Sequence, residues 1–206
     1  MAVGDYAEAV RSYERVQQLD PQLERNEQVH LHLGEAYDHL GMSSHPDTRF
    51  YMGDRHAGQR HFENALSEYM LVEMDRNASP ALKGIVRRRI AWTHIHMGLA
   101  QYRKGNTGQA TGEWEKALAF DPTQVQAAYF LTRVYFDQGR YEQSIAIGSY
   151  LLSRSTNRLL KANVQANIGD GYWKLNDFKN ARIAYESSMD LDSYANFRIF
   201  KNLGGT

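Results

Sequence analysis

Eight histidines have the most to offer chemistry in this 206-residue chain. Six lie between His30 and His61, and the other two are His94 and His96. Imidazole binds zinc or copper and titrates near neutral pH. The spacing limits what these eight can do. Residues two apart on a helix do not face each other, so neither His30/His32 nor His94/His96 can chelate alone. A helical metal pair stands three or four residues apart, and no two histidines here do; His56 and His61 are five apart. His32 and His96 would have to reach across elements to share an ion. The reading adopted is that the histidines fill space and hydrogen-bond where helices cross. No metal and no cofactor is expected.

Other reactive arrangements are missing from the sequence. There is no phosphate loop, dinucleotide glycine fingerprint, nucleophile elbow or H-E-x-x-H. Gly169-Asp170-Gly171 lies inside a helical pattern and reads as a thin spot for close packing, not as a phosphate cradle. Carboxylates are scattered over helix surfaces, so no pair is poised for acid–base work. No enzymatic activity is expected. Asn77-Ala78-Ser79 fits the N-glycosylation pattern, which means little without a secretory signal.

Composition narrows the partners. Lys and Arg total 24 and Asp and Glu total 24, so no global field favours nucleic acid or an anionic membrane. There is no cysteine, which excludes disulfides and thiolate metal sites. No run approaches the roughly 18 apolar residues of a membrane span. Residues 1–20 read as an amphipathic helix and not as a signal peptide. Neither nucleic-acid binding nor membrane insertion is expected, and the compartment stays open.

The elements are organised around Ala91 to Pro122, two apolar-periodic segments joined at Lys104-Gly105-Asn106. Gly105 can take the left-handed conformation that closes a helix, and Asn106 or Thr107 can cap the next one. Asp121-Pro122 ends the unit. Gly98 on the first helix faces Ala110 and Ala117 on the second, with Trp114 between them; small against large lets helix axes approach to about 8–10 Å. The same grammar returns 34 residues on, with Leu131, Tyr135, Gly139, Tyr141 and Ala146, and again 37 further, with Ile168-Gly169, Tyr172, Phe178, Ala181 and Tyr185. Upstream, Leu33-Gly34 and Tyr37 repeat the first helix, and Tyr6, Ala9, Tyr13 and Asp20-Pro21 the second.

A period near 34 with L-G-x-x-Y, A-x-x-x-F/Y/W and D-P resembles the tetratricopeptide repeat over nearly the whole chain. The resemblance implies an all-α fold, an α-solenoid in which antiparallel helix pairs stack in a right-handed superhelix and each touches its neighbours. A single array over 1–206 is expected: a half repeat at 1–21, repeats at about 22–76, 80–122, 123–156 and 157–192, and a partial repeat at 193–206. The chain thus starts and stops inside repeats, which suits a piece of a longer array or ends that dock on neighbours.

Two stretches depart from the rhythm. Met42 to Asp54 reads as an insertion loop over 43–54 with Pro46 blocking helix, either a tolerated surface insertion or, through exposed apolar Phe50, Tyr51 and Met52, a partner contact. The delayed helix then covers 55–75. The helix from Pro80 runs to about Lys104 and carries Arg87, Arg88 and Arg89; three adjacent positions span about 200° of the helix, so they form a solvated face, not one patch.

By position in the family, the first helices line a concave groove. Its residues would be Trp92, Ile95, Leu99 and Tyr102, then Gln126, Tyr129, Arg133 and Phe136, then Asn163, Ala166, Asp170 and Trp173. Tyr102, Phe136 and Trp173 share one register. The resemblance implies an interaction scaffold that holds a partner peptide or helix on this aromatic face. The alternative is a structural subunit contacting neighbours through its ends and the 43–54 loop. The family's carboxylate clamp for acidic C-termini is not expected, because its places hold Leu31, Glu35, Ile95 and Leu99.

Overall fold

The computed structural model describes residues 3–192, so the partial repeat expected at 193–206 lies outside the described residues. Ten helices occupy this span: α1 (Val3–Leu19), α2 (Glu27–His39), α3 (Pro46–Gly58), α4 (Phe62–Met74), α5 (Pro80–Arg103), α6 (Thr107–Phe120), α7 (Val125–Asp137), α8 (Tyr141–Arg154), α9 (Arg158–Lys174) and α10 (Phe178–Leu191). A 3-10 turn, Pro21–Arg25, precedes α2, and the described residues include no strand. The fold is the expected all-helical, repeat-type solenoid architecture of antiparallel pairs. Contacts divide the chain into two compact units, Met1–Met97 and Gly98–Thr206, with the division inside α5.

In the second unit each helix packs on the next: α6 on α7, α7 on α8, α8 on α9 and α9 on α10, with α7 also touching α9. Ala128, Ile145, Leu151, Val164, Ile168 and Ala184 form its core. Trp114 is 1% exposed, wedged against Gly98, where an added Cβ would lie 2.7 Å from the indole Cδ1. Gly169 does the same for Tyr185, at 2.5 Å. Gly148 and Thr132 hold the same two places with the sizes exchanged. Gly105 closes α5 at φ +82°, as its sequence context requires, and Gly139 closes α7 at φ +76°. Asn106 stands at the α6 cap position without a capping bond; its side chain donates to Gln101 instead.

In the first unit α1 packs on α2, α2 on α3 and α3 on α4. Here the sequence reading needs correction. Residues 46–58 are helix, not an insertion loop, and the expected 55–75 helix is the end of α3, a turn at 59–61, and α4. Pro46 does not block α3; it begins it, because the first helical position has no use for an N–H. Phe50 is 0% exposed and meets Tyr69 at 6.3 Å between ring centroids. Tyr51 and Met52 are half-buried. None of the three forms an exposed apolar loop. The contact of α3 with α2 is close: a Cβ at Gly34 would overlap the Asp47 carbonyl and lie 2.6 Å from Tyr51 Cβ.

That approach gives a direct test. Gly34→Ala is expected to destabilise the protein by about 1–3 kcal/mol, since backbone cannot rotate away as a side chain can. Alanine is otherwise the better helix former by about 1 kcal/mol. Gly84→Ala, also mid-helix but with open space where its Cβ would go, should therefore stabilise. Urea midpoints of the two variants should move in opposite directions.

Candidate functional site

The expected groove residues of the second unit belong to its first helices. Tyr102 is 45% exposed and Trp173 39% exposed, large values for aromatics that each also pack. Tyr102 rests on Trp114 with centroids 5.8 Å apart; Trp114 stacks on Phe130 at 4.8 Å, and Phe130 contacts Tyr129 at 6.1 Å. Four rings from α5, α6 and α7 thus run in one chain, with Tyr102 and Tyr129 at its ends. Phe136 meets Tyr141 edge-on at 5.4 Å, and Trp173 meets Phe178 edge-on at 4.8 Å. These two pairs are equivalent: the last aromatic of a first helix leans on the first aromatic of its second. Leu99, Tyr129 and Phe136 are half-buried, while Gln126 and Arg133 are exposed. Arg133 pairs within its own helix with Asp137 at 3.5 Å. Asn163 donates to the Leu159 carbonyl at 3.1 Å, and Ala166 is buried.

Asp170 has a packing role that spacing alone did not reveal. Its carboxylate accepts the Tyr185 hydroxyl at 2.8 Å. The first unit repeats the device, where Tyr69 donates to Asp54 at 2.5 Å. In both, a tyrosine crosses a glycine and its hydroxyl reaches the aspartate directly after it, Gly53-Asp54 and Gly169-Asp170. Where the crossing aromatic is Trp114, with no hydroxyl to satisfy, Leu99 follows the glycine. Burial and the neighbouring Asp54 carboxylate push the Tyr69 phenol above its ordinary value, so it stays a donor.

Trp92 and Ile95 belong to the first unit. Trp92 is exposed, lies 3.9 Å from the His96 ring and meets Phe62 edge-on at 6.2 Å. Ile95 is 1% exposed and cannot face a partner. The three arginines do splay. Arg87 pairs with Glu73 at 2.5 Å, and Arg88 reaches Glu27 at 3.4 Å. Arg89 is not on a solvated face: half-buried, it contacts Glu27 at 2.8 Å and Asp54 at 3.0 Å. These ion pairs join α5 to α2 across 61 and 62 residues of sequence, beyond the nearest-neighbour packing expected of a solenoid.

His32 and His96, the two that would have had to share an ion, each meet a neighbouring helix. His32 Nδ1 meets the Tyr13 hydroxyl at 2.9 Å, and His96 stacks near Phe62 at 6.1 Å, so each has its own neighbours. Among the described residues no three of His, Cys, Asp or Glu are grouped to hold a metal ion. One cluster escaped the sequence reading. Buried His30 on α2 lies 2.5 Å from Asp47 Oδ1, and His45 Nδ1 lies 3.2 Å from Asp47 Oδ2 and 3.3 Å from the Asp47 amide. The His45 ring lies tilted against Tyr37 with centroids 3.8 Å apart. Burial opposes charge on Asp47, yet hydrogen bonds from His30 and His45 outweigh it and hold the carboxyl below its ordinary value. Reading 43–54 as a loop hid this cluster, although Pro46 followed by Asp47, a proline at the first helical position with an acid in the first turn, is an N-terminal helix signal.

No helix among the described residues is long and apolar enough to cross a membrane. Two family models, each described as tetratricopeptide repeat, match the sequence: one over residues 96–158, the other over residues 1–23 and 162–194. Together they span more than half of the chain. Among solved structures, the N-terminal domain of stress-induced protein-1 from C. elegans matches with a TM-score of 0.51 at 17% identity, covering 56% of this chain and 95% of that one. MamA from Desulfovibrio magneticus RS-1 is also similar, with a TM-score of 0.45 at 17% identity over 90% of this chain and 96% of that one. At such identities the likeness concerns the fold. The helix pairs, their glycine–aromatic crossings and the two matching models lead to one conclusion: the chain belongs to the tetratricopeptide-repeat family.

Proposed function

We propose that this protein is a non-catalytic interaction scaffold whose second unit holds an apolar segment of a partner protein against Tyr102, Tyr129, Phe136 and Trp173. The observation that carries the reading is the exposure of Tyr102 and Trp173, which occupy the same register on first helices two repeats apart, with half-buried Phe136 at that register between them. Large aromatics left open to water gain most when a partner covers them, and such residues dominate binding energy at interfaces. Leu99 adds apolar area and Arg133 a polar edge. Asp170 is engaged by Tyr185 and Ile95 is buried, so neither belongs to the contact set. Assembly through the 43–54 segment is not part of this reading, since Phe50 is enclosed by α3 packing.

The test starts from a photo-crosslinking residue at position 102, which should yield a discrete adduct with one partner. Tyr102→Ala combined with Trp173→Ala should then weaken binding of that partner at least tenfold, each ~1.4 kcal/mol being a factor of ten. Far-UV circular dichroism should be unchanged, because both side chains are on the surface. Undiminished binding by the double variant would rule out this face.

A further inference from the structure

The first unit holds a cavity of about 600 Å³ that the aromatic face does not explain. This is the size of a small-molecule site, commonly about 300–1,000 Å³. Two turns and one helix face enclose it. The α2–α3 turn and the start of α3 contribute Met42 through Asp47, the α4–α5 turn contributes Asp75 and Asn77 through Ser79, and His30 and Leu82 close the inner side.

Charge decides what would enter. The lining holds Asp47, which His30 and His45 already meet, and Asp75, which no cationic side chain of the lining meets, and it includes no lysine or arginine. Helix dipoles do not offset them: two helix ends (α2, α4) and two helix starts (α3, α5) adjoin the cavity, and half-charges of about ±0.5 at each cancel. The acceptors are only partly used. Asp75 Oδ1 takes the Asn77 amide at 2.8 Å, while its Oδ2 takes no hydrogen bond among the described contacts. Asp47 meets His30 with one oxygen and His45 with the other, and a carboxylate offers about four lone-pair sites. Buried Ala78 and Leu82 supply an apolar wall.

We infer that this cavity is a binding site for an organic cation with N–H donors, an alkylguanidinium or alkylammonium group whose charged head lies between Asp75 and Asp47 and whose methylenes lie on Ala78 and Leu82. The group is either a free small molecule or the side chain of an arginine or lysine on another protein. The site stands on the first unit alone and does not depend on the aromatic face.

Calorimetric titration of the full chain with agmatine decides the matter, in phosphate buffer because Tris is itself an ammonium. Saturable binding is expected, with glutarate and 1-butanol giving none. Asp75→Asn keeps the Oδ1 acceptor for the Asn77 turn and removes the charge, and should weaken agmatine at least tenfold; Glu63→Gln, outside the cavity, should not. A blocked Gly-Arg-Gly peptide separates the two sources: binding comparable to agmatine points to a protein side chain, and its exclusion to a free amine. No saturation at about 10 mM agmatine, well beyond the ~1 mM Kd of a weak specific complex, would overturn the inference. So would glutarate binding as well as agmatine, or an Asp75→Asn effect below tenfold.

Discussion

Trp114→Ala is expected to lower the unfolding free energy by about 3–5 kcal/mol, the range for emptying a fully buried large aromatic site. Trp114 is the largest fully buried side chain among the described residues. It fills the gap over Gly98 and carries the stack onto Phe130, so α5, α6 and α7 all lose a neighbour at once. Ala110 and Ala117 on the same helix are fully buried and too small to fill the space the indole leaves. Trp173→Ala, on an exposed indole, should cost far less. Thermal melts followed at 222 nm check the difference, and hydrogen exchange should place the lost protection in α6 and α7. Equal costs for the two tryptophans would mean that Trp114 is not the keystone of this crossing.

Asp47→Ala should cost about as much, roughly 3–5 kcal/mol, because it strands a buried hydrogen-bonded partner. His30 would keep its enclosure and lose the carboxylate 2.5 Å from its Nδ1. The pH dependence distinguishes this from a loss of packing. Asp47 is held below the ordinary aspartate value of 3.8 when folded. Its contribution is therefore complete above that value and disappears as pH falls through the folded one. The gap in unfolding free energy between the native chain and Asp47→Ala should be full at neutral pH and narrow in acid below about pH 4. A gap that stays constant down to pH 2 would assign the effect to lost packing. Urea unfolding along a pH series makes the measurement.

The sequence is most legible where repeats follow a strict spacing. Helix α5 begins at Pro80 and ends at Arg103, one residue short of the expected Lys104, and α7 to α10 fall as two pairs inside the repeats expected at 123–156 and 157–192. Gly98 with Trp114 and Gly169 with Tyr185 were readable because each pair is sixteen residues apart and joins the smallest residue to a large one. Gly34 and Phe50 have that same separation, and so do Gly53 and Tyr69. That rule would have placed α3 and α4. Proline hid them: read as a helix breaker, Pro46 outweighed a spacing that makes it a helix starter. The aromatic face is less legible, since position alone cannot separate Tyr102, open to solvent, from Ile95, which is covered. Nor could it show that Asp170 answers a tyrosine hydroxyl. Partners of this kind are chosen by tertiary contact, and a one-dimensional pattern carries only their periodicity.

The bridge from Glu27 to Arg89 has a consequence for how the protein orders itself. A stack that relies on adjacent contacts can add one helix at a time and fray from an end. A bond spanning 62 residues cannot form until the intervening chain has closed into a loop, and the entropy of that closure comes first. The N-terminal half is therefore expected to order α2 and α5 together, while the C-terminal half is expected to keep the graded, stepwise character of a linear array.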